Sequence, residues 1–234
     1  MAARASCVNA VSERLERVRA RIATAAEAAG RDPHAIRLIG VSKLQPVAAI
    51  SAALDAGLED VGENFVQEAL QKMDALPDRT ATWHFIGTLQ SNKARDVAGH
   101  FDWVHSVDRL KVARRLSAQC RDRTRPLNVC IQVRLGDEPT KAGVREEELG
   151  ALAAAVSTLP GLSLRGLMCV PPPETDPQRQ RGWFRRLREL RDELATQGLS
   201  LDTLSMGMSA DLEAAVAEGA THLRIGTALF GARH

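Results

Sequence analysis

Arg37-Leu38-Ile39-Gly40-Val41-Ser42-Lys43 is a short apolar run, Leu38 to Val41, bounded by an arginine before it and by Ser42-Lys43-Leu44-Gln45-Pro46 after it. A run this short, closed by turn formers, reads as a buried strand ending at a polar tip. Lys43 at that tip is one of five lysines in a chain with twenty-six arginines. Arginine stays protonated, whereas a lysine amine near low-dielectric surroundings can lose its proton and attack a carbonyl. The plainer alternative is a lysine that caps the strand and snorkels to water.

Working outward, residues 7–29 place Val8, Val11, Leu15, Val18, Ile22 and Ala25 at helical spacing among arginines and glutamates. That is an amphipathic helix, closed by Gly30 and turned by Asp32-Pro33. Beyond Lys43 the pattern alternates. Short strands are expected over 60–65, 83–87, 101–107, 127–133, 164–170 and 203–208, with an eighth inside 222–230. Helices are expected from Pro46 to near Gly57, over 66–76, briefly after 90–93, after Asp108 as an N-cap, and over 144–157, 183–197 and 209–218. Eight such units without a Gly-x-Gly-x-x-Gly loop favour a single-domain (β/α)8 TIM barrel over residues 1–234, with an extra N-terminal helix. The rival is an open doubly wound sheet. The longest polar insertions, 134–143 and 171–181, both follow strands, which puts them on the barrel face where active sites are built.

Composition narrows the function. Forty-four per cent apolar residues are enough for a sizeable core, and a net charge of +2 gives no reason to invoke nucleic acid or an anionic membrane. Cys7, Cys120, Cys130 and Cys169 form no CxxC pair and fit neither a zinc site nor a disulfide framework. Cys130 and Cys169 lie in apolar runs as small core residues. The N-terminus moves quickly into charged helical sequence, so no secretory leader is expected and the reading is a reduced, cytoplasmic protein. No apolar run approaches the roughly twenty residues that span a bilayer. The chain has no tyrosine, which excludes any mechanism that uses one as acid or base.

Three further groups fall on the same face as Lys43. After the seventh strand comes Ser205-Met206-Gly207-Met208-Ser209-Ala210-Asp211, with Ser209 expected as a helix N-cap. After the eighth comes Arg224-Ile225-Gly226-Thr227. The loops after strands seven and eight are the common phosphate cradle of such barrels. Ser209 could be a cap alone and Gly226 a turn glycine alone. Together, beside a lysine, they favour a phosphate ligand that carries a carbonyl, and pyridoxal 5'-phosphate (PLP) fits. Arg224 lies two residues before Gly226, with no acidic partner in its strand, and needs an acceptor. The pyridine nitrogen of PLP would be one. A guanidinium there leaves that nitrogen unprotonated and the ring a poor electron sink, which argues against transamination and decarboxylation.

The chain resembles the pyridoxal phosphate homeostasis protein family, also described as the proline synthase co-transcribed family. The residues that carry the resemblance include Val41-Ser42-Lys43, Gly62-Glu63-Asn64 with Gln67-Glu68, and Trp83-His84-Phe85-Ile86-Gly87 with Leu89-Gln90 and Asn92-Lys93. Further on come Gln132-Val133, Lys141 with Gly143, Gly166-Leu167-Met168 and nearly all of 204–233. The resemblance implies a barrel like the alanine racemase N-terminal domain, without that enzyme's β-rich second domain, for which 234 residues leave no room. It implies a Schiff base between PLP and Lys43. Ser209, Gly226 and Thr227 would hold the phosphate, Arg224 would face the pyridine nitrogen, and Asn64 would lie near the ring. His84 sits in an apolar strand and is expected to support structure. One departure is Arg134, where the family usually continues with asparagine.

Three readings follow. The first is a non-catalytic carrier that holds PLP reversibly and releases it to apo-enzymes as recipients, expected to be a monomer. The second is a PLP-dependent amino-acid racemase, which lacks here the tyrosine that similar racemases place opposite the lysine. The third is a Schiff-base aldolase on a phosphorylated sugar, whose acidic partners are not identifiable in the sequence. The first is preferred.

Overall fold

Strands that are apolar on both faces need cover on both, and a ring of parallel strands inside a ring of helices provides it. The computed structural model, which describes residues 2–78, 80–136 and 142–232, forms that ring. Its strands are β1 (Arg37–Val41), β2 (Asp60–Glu63), β3 (Thr82–Phe85), β4 (Trp103–Val107), β5 (Leu127–Gln132), β6 (Leu162–Met168), β7 (Thr203–Ser205) and β8 (His222–Ile225). They pair in sequence order and close into a barrel. The open-sheet rival fails at the last pairing, where Ile39 of β1 lies opposite Arg224 of β8.

The helices are α1 (Ala2–Ala28), α2 (Val47–Asp55), α3 (Val66–Asp74), α4 (Ala94–His100), α5 (Leu110–Gln119), α6 (Glu146–Ser157), α7 (Pro177–Thr196), α8 (Leu212–Ala217) and α9 (Thr227–Phe230). Helix α1 precedes the barrel and buries Val11, Leu15, Val18, Ile22 and Ala26, spaced four, three, four and four. That stripe lies on α2, α8 and α9, across the first and last units of the ring.

Several boundaries differ from those read in the sequence, each for a local reason. Helix α1 begins at Ala2, five residues before the expected start. Strand β1 ends at Val41. The Ser42 N–H still bonds Gly62 O at 3.0 Å, but Gln45 N–H then bonds Ser42 O, and this turn lifts Lys43 off the sheet. Helix α7 starts six residues before 183, because Asp176 accepts the Gln178 N–H at 2.8 Å and Pro177 sits at the first helical position. Asp108 does not cap α5: Arg109 holds the N-cap position, and the Asp108 carboxylate pairs with the Arg109 guanidinium at 2.7 Å.

Apolar side chains fill the annulus between strands and helices, with Phe85, Phe101, Phe184 and Leu116 fully buried. The lumen is different. It holds a separate small apolar cluster of Trp103, Cys130 and Met168. Trp103 and His222 lie 4.9 Å apart at their ring centroids, tilted by 50°. Strands β4 and β8 are not neighbours, so this contact crosses the lumen. Among the described residues no helix is long and apolar enough to cross a membrane.

Candidate functional site

Lys43 stands in the turn after β1, half-buried, on the face where all eight strands end. The turn is clamped from behind. Lys72 of α3, 4 % exposed, donates to Ser42 O at 2.7 Å, Glu63 Oε1 at 2.6 Å and Glu68 Oε1 at 2.6 Å. Glu68 Oε1 also accepts the Leu44 N–H at 2.6 Å, and the Ser42 hydroxyl donates to Glu63 Oε1 at 2.6 Å. Leu44 is the one non-glycine residue with positive φ (60°) among those described. A leucine resists that conformation, and it persists where surrounding bonds over-determine it. The residues flanking Lys43 are thus pinned on both sides. Burial pushes the Glu63 carboxyl above its ordinary range, outweighing the opposing bonds from Lys72 and Ser42.

The turns after β7 and β8 meet beside it. Ser209 is not an N-cap: α8 begins at Leu212, and Asp211 occupies the cap position and accepts the Met208 N–H at 2.6 Å. That leaves the Ser209 hydroxyl to accept the Ala228 N–H at 3.2 Å, which ties the two turns together next to Thr227. A Cβ added to Gly226 would stand 3.4 Å from the Val41 carbonyl oxygen, so the β8 turn abuts the end of β1, two residues before Lys43. Ser209 and Gly226 are half-buried and Thr227 is exposed.

Arg224 lies below these turns, 5 % exposed. It donates to Ser205 Oγ and to Cys169 O, both at 2.8 Å, and among the described residues it forms no ion pair with a carboxylate. Burial lowers its pKa below the ordinary arginine value, opposed by Cys169 and Asp211. Asn64, just past β2, keeps a buried Oδ1 without a partner, and so does Ser106 Oγ on β4. An unpaired buried acceptor is costly and marks a place for a ligand or water. Gly87 holds Asn64 in place, since a Cβ there would meet the Asn64 carbonyl oxygen at 2.1 Å.

Lys43, Ser209, Arg224, Gly226 and Thr227 therefore converge on β1, β7 and β8, with Asn64 next along on β2. Gln90, Asn92 and Lys93 sit at the short 3-10 turn after β3 on the same rim, with Gln90 and Asn92 exposed. Arg134 donates its N–H to Val144 O at 2.9 Å and closes the base of its loop, while Lys141 and Arg233 lie outside the described residues. Sequence reading missed Lys72, His105 and Ser205. Lys72 carried a signal, as one of so few lysines, four residues after Glu68 on one helix face. His105 carried the same signal as His84, an imidazole inside an apolar strand.

The mouth is walled by apolar groups: Leu44, Phe65, Val170 and Met208, the exposed large hydrophobics of the described chain, all follow strands on this face. An amine, a buried cation, hydroxyls and backbone N–H groups around one opening suit a ligand with an anionic tail, a carbonyl and an acceptor nitrogen.

The family model of the alanine racemase N-terminal domain matches residues 14–234, which sets the class of barrel. The chain is 56 % identical over 226 residues to the pyridoxal phosphate homeostasis protein of Pseudomonas aeruginosa, covering 97 % of each. It is 48 % identical over 229 residues to that of Escherichia coli K12, covering 97 % of this chain and 98 % of the other. The chain belongs to the pyridoxal phosphate homeostasis protein family. Among solved structures, PipY of Synechococcus elongatus with PLP bound superposes with a TM-score of 0.84 at 41 % identity, covering 94 % of this chain and all (100 %) of that one. Alanine racemase of Corynebacterium glutamicum shares the fold alone, at 16 % identity and a TM-score of 0.71, with 97 % of this chain matching 61 % of the enzyme.

Proposed function

We propose that this protein binds PLP through a reversible Schiff base on Lys43 and serves intracellular PLP homeostasis as a cytoplasmic, monomeric carrier without catalytic turnover. The barrel would act as one PLP-binding domain over residues 1–234, and apo-PLP enzymes would be its recipients. The observation that carries this reading is the junction of the Lys43 turn with the Ser209–Ala228 bond and Gly226, above a buried arginine that has no carboxylate partner among the described residues. When bound, PLP supplies an aldehyde that condenses with an amine, releasing water. The Ser209 and Thr227 hydroxyls and the Gly226 backbone would hold the phosphate, and Arg224 would donate to the ring nitrogen. Asn64 Oδ1, buried and unpaired, would face a donor at the ring edge. Arg224 keeps its proton, which limits the ring as an electron sink.

The test is an absorbance spectrum of wild type and Lys43→Ala with and without added PLP, followed by borohydride reduction and peptide mapping. Wild type is expected to be yellow, with the cofactor fixed on Lys43, and the variant to lose the band. A colourless wild type that takes up no PLP would sink the reading. Racemization assays on common amino acids are expected to show no turnover, and robust turnover would replace the carrier by a racemase.

A further inference from the structure

A barrel of this kind is ordinarily filled by layers of branched apolar side chains. This lumen instead holds a file of polar groups, each in hydrogen-bonding distance of the next. Asp60 Oδ1 lies 2.8 Å from His84 Nε2 and accepts from Arg37 at 2.8 Å. His84 Nδ1 lies 2.9 Å from His105 Nε2. His105 Nδ1 lies 2.8 Å from Ser205 Oγ, which lies 2.8 Å from an Arg224 nitrogen. The file crosses the barrel from the N-terminal end of β2 to the floor of the site.

Its bond directions follow from what each group can do. A carboxylate only accepts, so His84 carries its hydrogen on Nε2. A neutral imidazole has one N–H, so His84 Nδ1 accepts and His105 Nε2 donates. His105 Nδ1 then accepts the Ser205 hydroxyl hydrogen. With that hydrogen committed, Ser205 turns a lone pair to Arg224, which can only donate. One tautomer at each imidazole satisfies the whole file, and every donor points from Arg224 toward Asp60. Burying such groups is tolerable only when all are satisfied.

We propose that His105 and Ser205 are positioning residues for Arg224: the file anchored on Asp60 fixes the guanidinium so that its remaining N–H edge faces the ligand ring. The inference rests on the PLP reading of the site. Cys169 O holds a second guanidinium nitrogen, so two anchors together remove its rotation. The groups facing His105 are His84 of β3, Trp103 of its own strand, Ser205 of β7, and His222 and Arg224 of β8. Protonating His105 would turn its Ser205-facing nitrogen into a donor and set a second cation against Arg224. Burial holds both His84 and His105 below the ordinary histidine range, so the two imidazoles of the file stay neutral.

Nitrogen NMR of the cofactor-free full chain reads the tautomers directly. His84 and His105 are both expected as Nε2–H forms, unchanged between about pH 8 and about pH 6. PLP titrations read the consequence. Ser205→Ala and His105→Leu are expected to weaken the dissociation constant about tenfold and to displace the absorbance band, while His105→Gln stays within about threefold of wild type. The glutamine amide can accept from Ser205 and donate to His84, which a purely space-filling role would not require. Melting curves of the cofactor-free variants show which are folded, and Ser205→Ala, which deletes one hydroxyl, carries the test if a His105 variant is not. An Nδ1–H tautomer at His105, or unchanged affinity and band position in folded Ser205→Ala, overturns the proposal. A wild type that takes up no PLP overturns instead the reading of the site, and the tautomers still report on the file.

Discussion

Lys72 shows how much of the site depends on a residue that faces away from it. Its ammonium, buried beneath the turn, gathers Ser42, Glu63 and Glu68, and through Glu68 it holds Leu44 at positive φ. Removing one partner of a buried ion pair is expensive, because the other charge is left uncompensated. Lys72→Met is expected to lose about 3 kcal/mol in urea unfolding, the lower end of the usual range, since Glu63 can take up a proton when its partner goes. With the turn relaxed, the fraction of PLP fixed on Lys43 by borohydride should fall as well. A variant with wild-type stability and wild-type trapping would remove the clamp from the account. The thiols play no such part: burial pushes Cys169 up to about 12, and Cys130 higher still, so neither offers a thiolate near neutral pH.

At the scale of elements, the ends of strands do the positioning and the helices keep them there. Helix α7 is tied to α8 by one carboxylate: Glu218, 1 % exposed, accepts from Arg181 at 2.8 Å, Arg185 at 3.2 Å and Arg188 at 2.7 Å. This bond set fixes the helix that follows the Ser209 turn. On the opposite side the ends of β2 and β3 are in backbone contact at Gly87. Gly87→Ala would drive a methyl into the Asn64 carbonyl and part the two strand ends. The expected loss is about 1–3 kcal/mol in chemical denaturation, with weaker PLP binding because Asn64 moves. Equal stability and equal affinity in that variant would mean the strand ends part without cost.

At the scale of the whole molecule, the polar lumen sets a pH dependence. His84, His105 and His222 are held below the ordinary histidine value, first by burial, and His222 to about 3. Unfolded, each binds a proton as pH drops below about 6.5, while the folded lumen does not. The unfolded state then carries more protons, so stability rises with pH in this range and is lost as pH falls from about 6.5. Each histidine contributes a slope of up to about 1.4 kcal/mol per pH unit. Asp60 acts in the same direction but at lower pH: burial raises its pKa, and the His84 and Arg37 bonds outweigh this and lower it. Unfolding free energies measured from about pH 7 to about pH 5 should therefore fall steadily. A flat profile would mean that the lumen is hydrated and its histidines titrate as in water.

Much of this was legible in one dimension. Strand periodicity, apolar run length and the turn formers after each run are local properties, and they sufficed for an eight-unit barrel with Lys43, Ser209, Arg224, Gly226 and Thr227 on one face. Local signals also misled: Ser209 and Asp108 are good cap residues, yet both are engaged elsewhere, by Ala228 and by Arg109. The Asp176-Pro177 start signal was present but hidden behind three prolines. What tertiary structure alone decided is the lumen. Asp60, His84, His105, Ser205 and Arg224 are scattered over more than half of the chain, and no spacing joins them. They meet because closing the sheet turns the inward side chains of β2, β3, β4, β7 and β8 toward one axis, where His105 of β4 reaches Ser205 of β7 across the lumen, and burial there compels each to find the next.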